Sequence, residues 1–137
     1  MFVPLKIVTE YSLLKSTIKI DALISFLKKH HITSCAICDE NLYGVMEFYT
    51  KMTANHLKPV IGLKINIDNY EILLYPINNT GYQNLLKIHT LKETKELTWN
   101  TITDYLSNIK IVLPRASYEL RNRFPNAYLC YRNDTEK

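Results

Sequence analysis

A chain of 137 residues, 47% hydrophobic and 22% charged, has the composition of a folded globular domain and not of a disordered or low-complexity segment. Its net charge of +4 comes from 17 lysines and arginines scattered among 13 acids, which permits a nucleic-acid partner without arguing for one. No apolar run approaches the roughly 20 residues of a membrane span, and Met1 to Pro4 is not a signal peptide. A single cytoplasmic domain over 1–137 is therefore expected, with no membrane partner, and an odd count of three cysteines agrees with a reducing compartment.

The chain opens on a short apolar strand, Leu5 to Val8, with Lys6 inside it and a loop from Thr9 to Ser16 after it. Ile20, Leu23, Ile24 and Leu27 then recur at the spacing of one helix face. Lys28, Lys29, His30 and His31 place cations at its C-terminal end, where the helix dipole favours them. The two histidines read as solvated, because neighbours on a helix point about 100° apart and make a poor metal pair.

A second strand, Ile32 to Cys38, leads into Asp39 and Glu40, and a helix from about Tyr43 to Asn55 follows, with Val45, Phe48, Tyr49 and Met52 toward the core. Pro59 opens a third strand in which Ile61, Leu63, Ile65 and Ile67 alternate with Gly62, Lys64 and Asn66, which puts Lys64 on the face opposite the apolar one. Asp68-Asn69 reads as a hairpin turn into an antiparallel strand, Tyr70 to Tyr75. Asn78 to Gly81 is a turn and N-cap for a helix with Tyr82, Leu85, Leu86 and His89 on one stripe. Lys92 to Lys95 reads as a polar linker and Thr98 as the N-cap of a short helix through Leu106, whose start Trp99 shields. A strand from Ile109 to Leu113, a helix from Ser117 to Phe124 and a last strand from Ala127 to Tyr131 complete the pattern.

The alternation is that of an α/β domain, either layered or barrel-shaped. No G-x-G-x-x-G, Walker loop, H-E-x-x-H or G-x-S-x-G occurs, which excludes a dinucleotide fold of the usual kind and three common catalytic frames. Cys35 and Cys38 form a C-x-x-C, but they sit inside an apolar strand and Cys130 stands alone, so buried, inert thiols are expected. The stretch Cys35 to Tyr49 holds the candidate site, because loops after the carboxyl ends of strands are where α/β folds collect chemistry. Asp39 and Glu40 stand there, and a plain alternative is that they cap the following helix.

Several runs in order carry a resemblance. Phe2-Val3 with Leu5, then Thr9-Glu10-Tyr11-Ser12-Leu13-Leu14 and Lys19-Ile20-Asp21, resemble the opening of the PHP (polymerase and histidinol phosphatase) domain of bacterial DNA polymerase III alpha subunits. The likeness continues through Asp39, Asn41-Leu42-Tyr43-Gly44, Glu47-Phe48-Tyr49, Lys58-Pro59-Val60-Ile61-Gly62 and Gly81-Tyr82-Gln83-Asn84-Leu85-Leu86-Lys87. It implies part of a distorted (β/α) barrel with mostly parallel strands. A whole barrel takes roughly 250 residues, so the chain is expected to be the N-terminal portion of a replicative polymerase subunit, without the polymerase domains and their catalytic carboxylates.

Relatives hold zinc, manganese or iron, and the departures from their pattern fall on the ligands. Lys6 and Val8 occupy the positions of an H-x-H pair on the first strand, Glu40 replaces the histidine of an Asp-His pair that Asp39 opens, and Lys64 replaces a glutamate two residues after Gly62. An ammonium has no lone pair and repels a cation, so the resemblance implies vestigial metal-site positions at Lys6, Val8, Asp39, Glu40 and Lys64, no cofactor and no catalytic residue. The expected role is structural or interactive, with the remaining polymerase domains as partners, DNA reached through the whole polymerase, and self-association through open strand edges. The alternative is a metal-dependent PHP phosphoesterase or 3′–5′ exonuclease. Lys6 and Lys64 are expected to converge on Asp39 and Glu40 in place of metal ions; the bland alternative is that both lysines are solvated.

Overall fold

The computed structural model describes residues 1–130 and is a mixed α/β fold. Its elements in chain order are α1 (Ile20–Lys29), β1 (Ser34–Asp39), α2 (Val45–Ala54), β2 (Lys58–Ile67), β3 (Tyr70–Pro76), α3 (Asn79–Thr94), α4 (Trp99–Thr103), β4 (Ile109–Leu113), a 3₁₀ helix (Arg115–Asn122) and β5 (Tyr128–Leu129). The strands follow the order β1-β2-β3-β4-β5 in a sheet that does not close on itself among the described residues. β1 pairs with β2 and β4 with β5 in parallel, whereas β3 and β4 are antiparallel. The chain condenses into two compact units, Met1–Lys64 and a second that begins at Ile65.

In the first unit the expected strand Leu5 to Val8 is reduced to a single bridge, Ile7 beside Ile37. The amide of Ala36 donates to the carbonyl of Pro4 at 2.8 Å and its carbonyl accepts from Ile7 at 3.2 Å. A regular parallel ladder spaces those two partners two residues apart, so one extra residue bulges out and Leu5 and Lys6 are both exposed.

Ile20, Leu23, Ile24 and Leu27 of α1 are buried as the periodicity requires. Both helices of this unit end in the same way: the amides of His31 and Ile32 return to the carbonyls of Lys28 and Leu27, and those of His56 and Leu57 to Thr53 and Met52. This is the Schellman closure, and it places His31 (φ 55°) and His56 (φ 57°) in the left-handed region that glycine usually fills. The closure occupies Ile32, so β1 starts at Ser34 and not at Ile32. Helix α2 is likewise shorter than expected, and Tyr49 lies on its exposed side while Val45, Phe48 and Met52 fill the core.

In the second unit, Asp68 and Asn69 both take positive φ (50° and 65°), as a two-residue type I′ hairpin loop demands. Asn78 caps α3 by accepting the amide of Gly81 at 2.9 Å. The buried stripe of α3 is Gly81, Asn84, Leu85 and Ile88, one position back from the expected Tyr82, Leu85, Leu86 and His89, so that Leu85 alone is common to both. Gly81 sets that rotation, since a Cβ there would lie 2.0 Å from the backbone oxygen of Asn108. His89 is half-buried, 3.5 Å from Glu93 one turn on, and burial lowers its pKa.

The supposed linker Lys92 to Lys95 is instead mostly the last turn of α3, because lysine, glutamate and threonine are tolerated on an exposed helix face. Helix α4 stops at Thr103, short of Leu106, and is opened by a reciprocal capping box between Thr98 and Thr101. Ser117 to Phe124 forms no α-helix; a 3₁₀ helix from Arg115 to Asn122 stands there, anchored where Ser117 Oγ donates to the carbonyl of Glu71 at 2.6 Å. The last strand is trimmed to two residues, and Tyr131 lies outside the described residues.

Candidate functional site at the carboxyl end of β1

β1 is buried along its whole length, and its burial carries the carboxylate of Asp39 into the interior of the first unit at 2% exposure. A carboxylate so placed requires donors. Three come from the loop that follows the Ile7 bridge: the amide of Thr9 at 2.7 Å, its hydroxyl at 2.6 Å and the hydroxyl of Ser12 at 2.9 Å. Ser12 also accepts the amide of Glu40 at 3.2 Å, so one hydroxyl joins loop to strand end twice. Neither acid caps α2, whose N-cap is Gly44 without a side-chain bond.

Glu40 turns toward the cations Lys15 and Lys64. Lys15, from the same loop, forms a close ion pair with Oε1, and Lys64 Nζ approaches that oxygen at 3.3 Å. The hydrogen bond from Lys15, with Lys64 beside it, holds the Glu40 carboxyl below its usual value of 4.5 against the opposing effect of burial. Lys64 itself is only 7% exposed, at the point where β2 passes Asp39, whose register partner is Leu63. The alternation along β2 put Lys64 opposite the apolar residues, and that face is covered too at Gly62 and Lys64, though not at Asn66.

The structure thus brings Asp39, Glu40 and Lys64 to one end of the first unit. Lys6, exposed, and Val8, half-buried, belong to the bulged segment beside β1. Lys64, one of the two lysines expected at the acids, contacts Glu40, and Asp39 accepts from the hydroxyls of Thr9 and Ser12 and the amide of Thr9.

Thr9, Ser12 and Lys15 are site residues that pattern reading treats as plain loop. Tyr11 completes the clamp: its carbonyl accepts Asn41 Nδ2 at 2.7 Å, its hydroxyl donates to Glu47, and its ring fills the space a side chain at Gly44 would need, 2.5 Å from a Cβ there. Lys51 holds Glu47 at 2.8 Å and Asp21 at 2.8 Å. The hydrogen bond from Lys51, and then that from Tyr11, lowers the pKa of Glu47. Cys35 and Cys38 are buried in β1, where burial pushes the Cys35 thiol up to about 11, as an inert core thiol should be. Cys130 is exposed.

The depressed pKa of Glu40 has a definite consequence for stability. A carboxyl whose pKa is lowered on folding stabilises fully above its unfolded value near 4.5 and loses that contribution as pH falls through the folded value. Wild type minus Glu40→Gln stability, measured by urea unfolding between pH 3 and 7, is therefore expected to be constant above about pH 5 and to shrink below it. A difference that grows on acidification would mean that the two lysines do not hold the ionised form.

As a cation site the cluster offers little. Both oxygens of Asp39 are engaged by donors, Glu40 is flanked by two ammonium groups, and no three His, Cys, Asp or Glu side chains gather among the described residues. Such a donor set does not fit the divalent ions that relatives of the resembled family hold.

Comparison with known proteins agrees with the sequence resemblance. The profile of the PHP domain matches residues 4–129. Similar proteins include the DNA polymerase III subunit alpha of Ureaplasma parvum, 34% identical over 93% of this chain and 13% of that protein. Those of Bacillus subtilis (36% over 69% of this chain and 9% of that protein) and Mycoplasma pneumoniae (29% over 96% and 15%) are similar as well. The chain thus spans about a tenth to a seventh of the length of these relatives. No helix among the described residues is long and apolar enough to cross a membrane.

Proposed function

The chain belongs to the PHP domain family, and from that premise we propose that it is a degenerate, metal-free PHP module of a replicative DNA polymerase III alpha subunit, with a structural and docking role. Its open sheet is then part of a PHP-type barrel, and its partners are the polymerase domains that relatives carry in the same chain. DNA is engaged through that larger assembly, and nucleotidyl transfer belongs to residues outside this sequence.

One observation supports this reading above the others: a nearly buried ammonium, Lys64, stands 3.3 Å from Glu40 at the strand end. A lysine on β2 supplies without dissociation the positive charge that a bound ion would supply reversibly. The loop hydroxyls and amide of Thr9 and Ser12 satisfy Asp39 in the same permanent way. A site built like this holds strand ends together; it presents no Lewis acid and no metal-bound nucleophile.

The reading is tested by titrating zinc and manganese into the protein by calorimetry, with hydrolysis of a phosphate monoester and trimming of a 3′ DNA end followed alongside. No stoichiometric binding and no metal-dependent turnover are expected. Binding of one or more ions at micromolar affinity that disappears in Asp39→Ala, together with hydrolysis, would establish the phosphoesterase or exonuclease alternative instead.

A further inference from the structure

The loop that satisfies Asp39 from one side presents an unusual tip on the other. Thr9 and Ser12 hold it on Asp39 and Lys15 holds it on Glu40, while the amide of Glu10 donates to the carbonyl of Ile18 at 2.9 Å, so both feet of the loop are fixed. Between them the amide of Lys15 returns to the carbonyl of Ser12 at 3.1 Å and closes a turn whose central residues are Leu13 and Leu14. Leu14 stands at φ 62°, in the left-handed region that turns usually give to glycine or asparagine. It is 100% exposed and Leu13 is 81% exposed, more than any other large apolar residue among those described except Met1. Two leucines that go against both the backbone preference of the turn and the preference for burial, on an anchored loop, mark a contact surface.

Beside this tip lies a hole. A cavity of about 750 Å³ is lined by Pro4, Ile7, Val8, Ile18, Leu23 and Phe26 among others, drawn from the bulged segment, the end of the loop and α1. Lys15, next to Leu14 in the chain, lines it as well, so tip and cavity belong to one face of the first unit. Ile18, Phe26 and Leu5, which sits between two lining residues, are exposed there too. At roughly 200 Å² for a large side chain left fully open, these three with Leu13 and Leu14 offer roughly 650 Å² of apolar surface, approaching the ~800 Å² that each partner buries in a standard interface.

We propose that this face docks a second copy of the chain about a two-fold axis, the Leu13-Leu14 tip of each copy entering the cavity beside α1 of the other. A face that carries both knob and hole is complementary to itself, which is what an isologous dimer requires; each contact is made twice and the assembly closes at two. The anchored loop loses little freedom on docking. Charge neither drives the contact nor forbids it, since Lys15 is paired with Glu40, and Glu10, bonded to Ile18, stands at the same rim as Lys6 and Lys19. Apolar burial is the driving force, so sodium sulfate tightens the dimer.

Sedimentation velocity of the full 137-residue protein over a range of concentrations is expected to show a monomer–dimer equilibrium. Leu14→Asn removes the knob and puts in its place a residue that accepts positive φ. The dimer then weakens about tenfold or more, while the melting temperature of the dilute monomer holds or rises. Ala22→Gln, at an exposed position of α1 on the cavity lining, narrows the hole and weakens the dimer to a similar degree. Each variant alone loses both contacts, whereas a mixed dimer keeps one, the intact tip of the Ala22→Gln copy in the open cavity of the Leu14→Asn copy. An equimolar mixture is therefore expected to associate more tightly than either variant alone.

Three results would overturn the proposal. A monomer at the highest soluble concentration leaves the face to another occupant, a further polymerase domain or a small ligand. A dimer that neither variant weakens is held elsewhere, as at a strand edge. Open-ended growth, or two weakened variants whose mixture gains nothing, means that tip and cavity do not meet reciprocally.

Discussion

Lys64→Glu is expected to cost about 3–5 kcal/mol of folding stability, the scale of breaking a buried ion pair by removing one partner. The substitution does more than remove an ammonium: it places a third carboxylate at an end of the first unit that already holds Glu40 and the buried Asp39. Lys15 remains beside Glu40, but its side chain is half exposed and a pair at the surface is worth only about 0–1 kcal/mol. Lys64→Met separates charge from packing. It keeps the stem that fills the covered face of β2, and because a buried pair barely recovers its desolvation, combining it with Glu40→Gln is expected to be nearly neutral, within about 1 kcal/mol. Urea unfolding of the four proteins completes a double-mutant cycle. Should Lys64→Glu be as stable as the wild type, Lys64 is not the cation that holds this strand end.

The parts of the fold legible in the sequence are those where one residue pattern decides one element. Ile20, Leu23, Ile24 and Leu27 determine the buried face of α1, Asp68-Asn69 fixes the hairpin, and Pro114 ends β4. The parts that pattern reading misplaces depend on contacts across the chain. The stripe of α3 is rotated by the close approach of Gly81 to Asn108, two residues 27 apart in sequence whose meeting no periodicity announces. β1 begins late because His31 completes a helix closure normally signalled by glycine. Leu5 to Val8 fails to make a ladder because one residue too many lies between its bonds to Ala36.

The site was legible in the same uneven way. Asp39 and Glu40 are found by their place at a strand end, and Lys64 by its place in the family pattern and on the less apolar side of β2. Thr9 and Ser12 fall in a run that carries the family resemblance, but nothing in it marks them or Lys15 as partners of the acids, since short hydroxyl residues and lysine are ordinary in loops. Their roles follow only from the pairing of the Ile7 bridge with β1, which aims the loop at Asp39. A run of two hydroxyl residues three apart, placed between a short strand and the first helix, is the one signal that could have suggested a buried acceptor.

That aim makes Asp39 the more consequential of the two acids for the first unit, although Glu40 carries the salt bridges. Asp39→Leu is expected to lose more than about 3 kcal/mol, because it strands the Thr9 amide and the hydroxyls of Thr9 and Ser12, and an unsatisfied buried donor costs about 1–3 kcal/mol. Asp39→Asn falls between, at about 1–2 kcal/mol, since the amide oxygen still accepts while its NH₂ faces a hydroxyl that can rotate to receive it. Thr9→Val removes one hydroxyl at constant shape and is expected to be partly redundant with Asp39→Asn in the double variant, as for residues sharing one network. The loop also carries Lys15 to Glu40. Freeing it from Asp39 should therefore raise the Glu40 pKa toward 4.5, a change that carbon-13 titration of the glutamate carboxyls would resolve. If Asp39→Leu loses less than about 1 kcal/mol and the Glu40 carboxyl does not move, the loop is held by its packing alone and the hydroxyl clamp is incidental.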